Sequence, residues 1–259
     1  MLFERSPVWT LFSDKLRVRD YVASRVGNQF LVPLLWVGEN PAEIPFDQLP
    51  DKFVIKANHG CDYNIFVKDK SQLDQVKTRL LLMKWLAQNY CQDLFLGAPW
   101  GYKNIQPAIM VESFLGDNGR VPPDYKFFCY SGRMELLKVD FNRFEDHSEA
   151  FFDRDMNRLT LLGRGIRPHR GKISFPDNYQ EMVQVAESLA NGIDFIRVDL
   201  YSVSGRVYFG ELTCYHGGGL IRLYPRKYDF LLGKNWDYNH TRPSQGNRVP
   251  ISQRHSHYE

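Results

Sequence analysis

Residues 195–213 constrain the fold more than any other part of the chain. They read Phe-Ile-Arg-Val-Asp-Leu-Tyr, then a short polar stretch, then Val-Tyr-Phe-Gly-Glu-Leu-Thr. Two runs of β-branched and aromatic residues around a Gly-bearing turn predict an antiparallel hairpin. Arg197, Asp199 and Glu211 interrupt these apolar strands. Charges buried there are costly unless something pairs them, so the hairpin is expected to present a partnered face. With a three-residue loop at 203–205 and Gly205 in the left-handed position, Ser202 pairs with Arg206 and Asp199 faces Phe209. Glu211 is then the same-face diagonal neighbour of Asp199, about 7 Å away. A loop one residue longer or shorter would place the two carboxylates on opposite faces. On one face they can share magnesium, a hard cation that takes oxygen ligands and keeps coordination for phosphate and water. Arg197 can meet a phosphate or a developing oxyanion.

The remaining pattern predicts mixed helix and strand. A helix over 14–26 follows from Ser13 or Asp14 as a cap and Gly27 at the end, with Val18, Tyr21, Val22 and Val26 on one face. Strands are expected at 53–56 and 64–68, then a helix over 71–90 with Leu73, Val76, Leu80, Met83 and Leu86 inward. Residues 107–115 read as a buried strand, and 125–130 with 134–139 as a hairpin around Ser131 and Gly132. The segment 142–175 is polar and Arg-rich, and is expected to be a long loop or lid. A helix over 177–191 carries Met182, Val185, Ala186 and Leu189 inward. This order gives an α+β chain with antiparallel sheets.

Composition narrows the function classes. At 43% hydrophobic and 24% charged residues the chain is globular, not disordered. A net charge of +3 spread along the chain calls for no nucleic-acid partner. No run approaches the ~20 apolar residues of a membrane span, and no signal peptide is visible. Cys61, Cys91, Cys129 and Cys214 lack metal-site spacing and read as reduced thiols, so a cytoplasmic location is expected.

Two further constellations carry chemistry. Lys56 ends an apolar strand just before the loop His59-Gly60-Cys61-Asp62, where an ammonium and backbone N–H groups can meet phosphate oxygens. The run Ala108-Ile109-Met110-Val111 leads into Glu112, an apolar edge with one polar end that suits a purine slot. Two other readings stay open. Asp153-Arg154-Asp155 has the form of a nucleotide-sugar DxD motif and would mean a glycosyltransferase. A nucleotide-binding protein without catalysis is the other.

The chain resembles the TupA-like ATP-grasp family, named for teichuronopeptide biosynthesis. The matching segments are Asp14-Lys15 with Val18-Arg-Asp-Tyr-Val22; Leu49-Pro-Asp-Lys-Phe-Val-Ile-Lys-Ala-Asn-His-Gly60; Asp124-Tyr-Lys-Phe-Phe128; Arg197-Val-Asp-Leu-Tyr201; Tyr208-Phe-Gly-Glu-Leu-Thr213; and Leu223-Tyr-Pro225 with Tyr228-Asp229. The resemblance implies an ATP-grasp fold: two antiparallel-sheet lobes with a nucleotide cleft between them. The domain would span residues 10–235, with a small nucleotide lobe near 50–105 and a metal and acceptor lobe at 106–235. A preceding Rossmann-like lobe would be largely absent, and 236–259 would form a polar flexible tail.

The resemblance also implies roles. Lys15 and Lys56 would be the nucleotide lysines, with His59 and Gly60 in the phosphate loop. Val111, Glu112 and Leu115 would lie at the adenine and ribose. Lys126 and Arg197 would be catalytic, contacting phosphates or the acyl phosphate. Asp199, Glu211 and Thr213 would hold Mg2+, with Thr213 where relatives often have asparagine. His216 is read as a turn residue or a substrate-specific one. The implied activity is an ATP- and Mg2+-dependent carboxylate–amine ligase of capsule or cell-envelope polysaccharide biosynthesis. Its partners would be a small or sugar-linked carboxylate and an amine.

Overall fold

The computed structural model describes residues 6–90, 100–116, 121–143, 145–163, 165–219 and 223–236. The expected tail beyond Trp236, Cys91 and Arg164 lie outside the described residues.

Two antiparallel sheets organise the chain. The first has the order β1-β4-β2-β3, built from β1 Leu34–Gly38, β2 Phe53–Ala57, β3 Asn64–Val67 and β4 Ile109–Ser113. Its β2 and β4 pair Ile55 with Val111, Lys56 with Met110 and Val54 with Glu112. Side chains alternate faces along a strand. One face therefore carries Phe53, Ile55, Ala57, Ile109 and Val111, which pack with Leu82 and Trp85 of α3 (Gln75–Leu86) into one core. The other face carries Val54, Lys56, Met110 and Glu112. The strand β1 was not among those expected; Pro33 before it hid a short apolar run.

The helix expected over 71–90 is shorter, and its inward face differs. Asp74 caps α3 by accepting from Lys77 N. Thr78, Leu82 and Trp85 are buried, while Val76, Leu80 and Met83 are 68%, 58% and 49% exposed. The helix is apolar on two sides, so periodicity alone offered two registers. The large Trp85 ring, stacked on Tyr63 at 5.0 Å, decides between them.

The second sheet is antiparallel along the order β11-β10-β5-β6-β7-β8, and β9 pairs with β7 in parallel. Its strands are β5 Asp124–Tyr130, β6 Arg133–Phe141, β7 Ser148–Asp153, β8 Arg158–Leu159, β9 Arg167–Pro168, β10 Phe195–Val203 and β11 Arg206–Thr213. One face packs Tyr125, Phe127, Cys129, Leu137, Ile196, Val198 and Leu200 against α4 (Tyr179–Ala190). Met182, Val185, Ala186 and Leu189 of α4 are buried as expected. The N-terminal helices α1 Pro7–Ser13 and α2 Val18–Arg25 join this core, and the Tyr21 hydroxyl donates to the Leu189 carbonyl at 2.7 Å. The helix expected over 14–26 thus begins at Val18. Asp14 instead forms the junction between α1 and α2, accepting from Leu16 N and Arg17 N at 2.9 and 3.2 Å.

The segment 142–175 is not a free loop throughout. It contains β7, five of whose six residues are buried, together with β8 and β9. Ser148 and Glu149 gave this strand a polar start that masked Ala150-Phe151-Phe152. A last helix, α5 Lys227–Lys234, follows the described part of the site.

Candidate functional site

The last hairpin reaches its geometry by a route different from the expected one. Its loop has two residues, Ser204 and Gly205, both at positive φ (50° and 75°), with Val203 paired to Arg206. That is the twist-matched turn of a tight hairpin. By itself this shorter loop would put Asp199 and Glu211 on opposite faces. A β-bulge between Asp199 and Leu200 restores the register: Leu200 pairs with Phe209, whereas Asp199 pairs with Glu211. Gly210 is the extra residue. A Cβ there would meet the Tyr201 ring at 2.8 Å and the Asp199 carbonyl oxygen at 3.1 Å, so glycine is required for the close approach. Asp199 and Glu211 are therefore directly opposed, with Cα atoms about 4.5–5.5 Å apart.

The other sheet neighbour of Asp199 is Lys126, and Arg197 pairs with Phe128 and Thr213. Arg197, Asp199, Lys126, Glu211 and Thr213 thus share one face. Arg197 grips Asp199 with two hydrogen bonds, Nε to Oδ1 at 2.6 Å and Nη2 to Oδ2 at 2.8 Å. Lys126 donates to Asp199 Oδ2 at 2.6 Å and also to Asp124. Burial would raise the Asp199 pKa, but Arg197 and then Lys126 outweigh it and hold this carboxyl well below the usual range. Burial pulls the Lys126 pKa down, and Asp124 and Asp199 more than reverse it. Thr213 Oγ1 donates to Glu211 Oε1 at 2.8 Å and so orients that carboxylate.

The charged face continues across β6 and β7. Lys138, opposite Lys126, bridges Asp140 at 3.1 Å and Glu149 at 2.8 Å. These buried groups were missed from sequence, although Lys138 and Asp140 alternate with apolar residues in register with Lys126 and Asp124.

The α1–α2 junction links the two sheets. Lys15 N donates to the Asn58 carbonyl, and the Lys15 ammonium donates to the carbonyl oxygens of Ala57 (3.3 Å) and Gly60. Burial lowers the Lys15 pKa; Glu211 opposes that and Lys56 adds to it, so Lys15 feels both sheets' charges. Lys56 meets Glu112 Oε2 at 2.6 Å, and Arg19 of α2 meets Glu112 Oε1 at 2.8 Å.

The other expected nucleotide residues take the following places. The Val111 side chain lies in the α3 core, and Met110 takes its place on the Lys56 face. His59 is buried, with Nε2 at 2.9 Å from the Trp85 carbonyl oxygen and Nδ1 at 3.3 Å from Asn58 Oδ1, so both ring nitrogens serve the loop's own packing. Leu115 is half-buried just past β4. Gly60 is positional: a Cβ there would meet the Tyr63 and Tyr90 rings at 2.8–2.9 Å. Asp153 accepts from Asn157 N at 2.8 Å and closes the turn after β7.

His216 is part of the site. Its Nδ1 lies 2.6 Å from Arg197 Nη1, and its ring stands edge-on to Phe128 at 5.0 Å. Burial and then Arg197 push its pKa down to about 3, so the imidazole is neutral and Nδ1 accepts.

Among the described residues no three carboxylate, imidazole or thiol groups form a ready metal cage. Asp199 and Glu211, opposed and supported by Thr213, nevertheless form an all-oxygen donor set. A carboxylate has about four lone-pair positions, so Asp199 can keep Arg197 and still accept a cation. Such a set fits Mg2+ with phosphate and water completing its coordination.

A family model described as TupA-like ATPgrasp matches residues 1–237. Among solved structures the fold is similar to the D-alanine–D-alanine ligase of Bacillus anthracis: 14% identity, TM-score 0.51, covering 86% of this chain and 63% of that one. It also matches the N5-carboxyaminoimidazole ribonucleotide synthetase of Thermus thermophilus, at 11% identity and TM-score 0.43, covering 78% and 45%. The chain thus spans less than two thirds of the length of these structures. No curated protein sequence matches it. No helix among the described residues is long and apolar enough to cross a membrane.

Proposed function

The chain belongs to the TupA-like ATP-grasp family, and from that premise we propose that it is an ATP- and Mg2+-dependent ligase joining a carboxylate to an amine. The observation that carries this reading is the direct opposition of Asp199 and Glu211 on the face that also holds Arg197 and Lys126. We place its work in the assembly of bacterial capsule or another cell-surface polysaccharide, the setting for which the family is named.

The substrate carboxylate attacks the γ-phosphate of ATP, giving an acyl phosphate and ADP. The amine then attacks the acyl carbon: a C–N bond forms and the C–O bond to phosphate breaks. Starting from the ammonium, one proton leaves with hydrogen phosphate and one goes to solvent. Asp199 and Glu211, with Thr213 orienting Glu211, would hold magnesium, which neutralises charge on the transferred phosphate. Lys15 and Lys56 hold the phosphate chain, and Glu112 and Leu115 flank the nucleoside. For this, Lys56 turns from Glu112, whose charge Arg19 still meets. Lys126 and Arg197 sit where negative charge builds during transfer. They are already oriented by Asp199 and His216, so little reorganisation is needed. The reading is tested by measuring ADP release with ATP, magnesium and a panel of uronic and amino acids, with and without an amine. Release that needs both acid and amine supports a ligase; release of UDP from a nucleotide sugar would replace it with a transferase.

A further inference from the structure

Asp124 opens β5 on the same face as Lys126 and Asp199, yet the phosphoryl transfer above makes no use of it. It is 4% exposed. Its Oδ2 takes the Lys126 ammonium and, at 3.4 Å, Arg143 Nη1. Its Oδ1 is buried and has no hydrogen-bond partner among the described residues. A buried acceptor without a donor is costly, more so when charged, unless the complex that forms there supplies one. Position says what that donor is. Lys126 touches both Asp124 and Asp199, so Asp124 lies one ammonium's width from the carboxylate opposed to Glu211. Arg143, whose side chain is 48% exposed, meets the same Oδ2 as Lys126, at a distance longer than the 2.6 Å between Lys126 and Asp199. Of the two cations on Asp124, Arg143 is thus the more loosely held.

We propose that Asp124 Oδ1 is the docking point for the ammonium group of the amine substrate. The assignment rests on the ligase reading. A divalent cation is a poorer match, because the other Asp124 oxygen is already neutralised by Lys126 and Arg143, whereas a singly charged N–H donor fits one free oxygen. Burial and the nearby Asp199 raise the Asp124 pKa against the pull of Lys126, and an arriving ammonium would relieve that strain on its charge. An amine held there stands beside the face where the acyl phosphate forms.

The test uses the full chain with ATP, magnesium chloride and the acid panel, and compares two small nucleophiles. Ammonium chloride supplies a charged N–H donor. Hydroxylamine is largely uncharged at neutral pH and traps an acyl phosphate without a carboxylate to hold it. The wild type is expected to release ADP with both. In Asp124→Asn the carbonyl can still receive Lys126 while an amide N–H2 stands where Oδ1 was, donor against donor. The ratio of ammonium-dependent to hydroxylamine-dependent kcat/KM is expected to fall about 10- to 100-fold. An equal loss with both nucleophiles would reduce Asp124 to a holder of Lys126 and overturn the assignment; so would an unchanged ratio. Either result leaves the ligase reading standing. A wild type that turns over neither nucleophile would sink that reading and the assignment with it. If melting curves show that Asp124→Asn does not fold, Asp124→Ser, which removes the same oxygen and leaves Lys126 on Asp199, is read by the same ratio.

Discussion

Replacing His216 by asparagine should make the protein more resistant to mild acid. His216 Nδ1 accepts from Arg197 at 2.6 Å, and asparagine can offer its Oδ1 to the same donor without titrating. In the wild type, burial and then Arg197 push the His216 pKa from its ordinary 6.5 down to about 3. The folded protein therefore binds fewer protons than the unfolded chain between those values. Stability is complete above pH 6.5 and falls as the pH drops toward about 3. At pH 5 the drop covers about 1.5 pH units of linkage, or about 2 kcal/mol relative to neutral pH. The measurement is urea unfolding of both proteins at pH 7.5 and pH 5. Other carboxylates and histidines are common to the two proteins and cancel in the difference. The wild type is expected to lose about 2 kcal/mol more than His216→Asn over that interval. Equal losses would mean that His216 is not held neutral against Arg197, and the clamp on Arg197 would have to be given up.

Lys56→Ala should fold and weaken ATP binding at least about tenfold in calorimetry, because Arg19 still meets Glu112 while one phosphate cation is lost; unchanged affinity would refute its placement. Asp199→Asn and Glu211→Gln should each cut metal-dependent turnover by about 100-fold or more while circular dichroism stays native, and a variant with ordinary kinetics would contradict the role given to the pair. Gly210→Ala should destabilise by about 1–3 kcal/mol and lower turnover, since its Cβ would press on Tyr201 and the Asp199 carbonyl; a neutral effect in both assays would show that the bulge does not require glycine.

The site was legible where chemistry and strand period coincide. Arg197, Asp199 and Glu211 stood out because apolar strands do not carry charges without cause, and Lys126 because its alternation with Tyr125 and Phe127 sets it on the opposite face. The details of the hairpin were not legible. A loop shorter by one residue and a bulge at Gly210 cancel, and no local rule predicts the two together. The face that the Val111 side chain takes was not legible, because an apolar strand buried on both faces gives no sign of which side meets the cleft. His59 was read as a loop residue when its ring is committed to the Trp85 carbonyl, a contact between residues 26 apart in sequence. His216 carried no signal of its own; it acquires meaning only once Arg197 is beside it. The α3 face and β7 failed for a different reason: tertiary packing chose between patterns that the sequence left equivalent.

Oxygen transfer tests the central claim most directly. The substrate acid, found with the panel and labelled with 18O in its carboxylate, is incubated with ATP, magnesium and the amine, and the released inorganic phosphate is analysed by mass spectrometry. Activation as an acyl phosphate predicts one 18O atom in each phosphate formed, the other remaining in the amide. Phosphate without label, formed at the same rate as amide, would contradict the account: ATP would then be hydrolysed without the carboxylate ever attacking it.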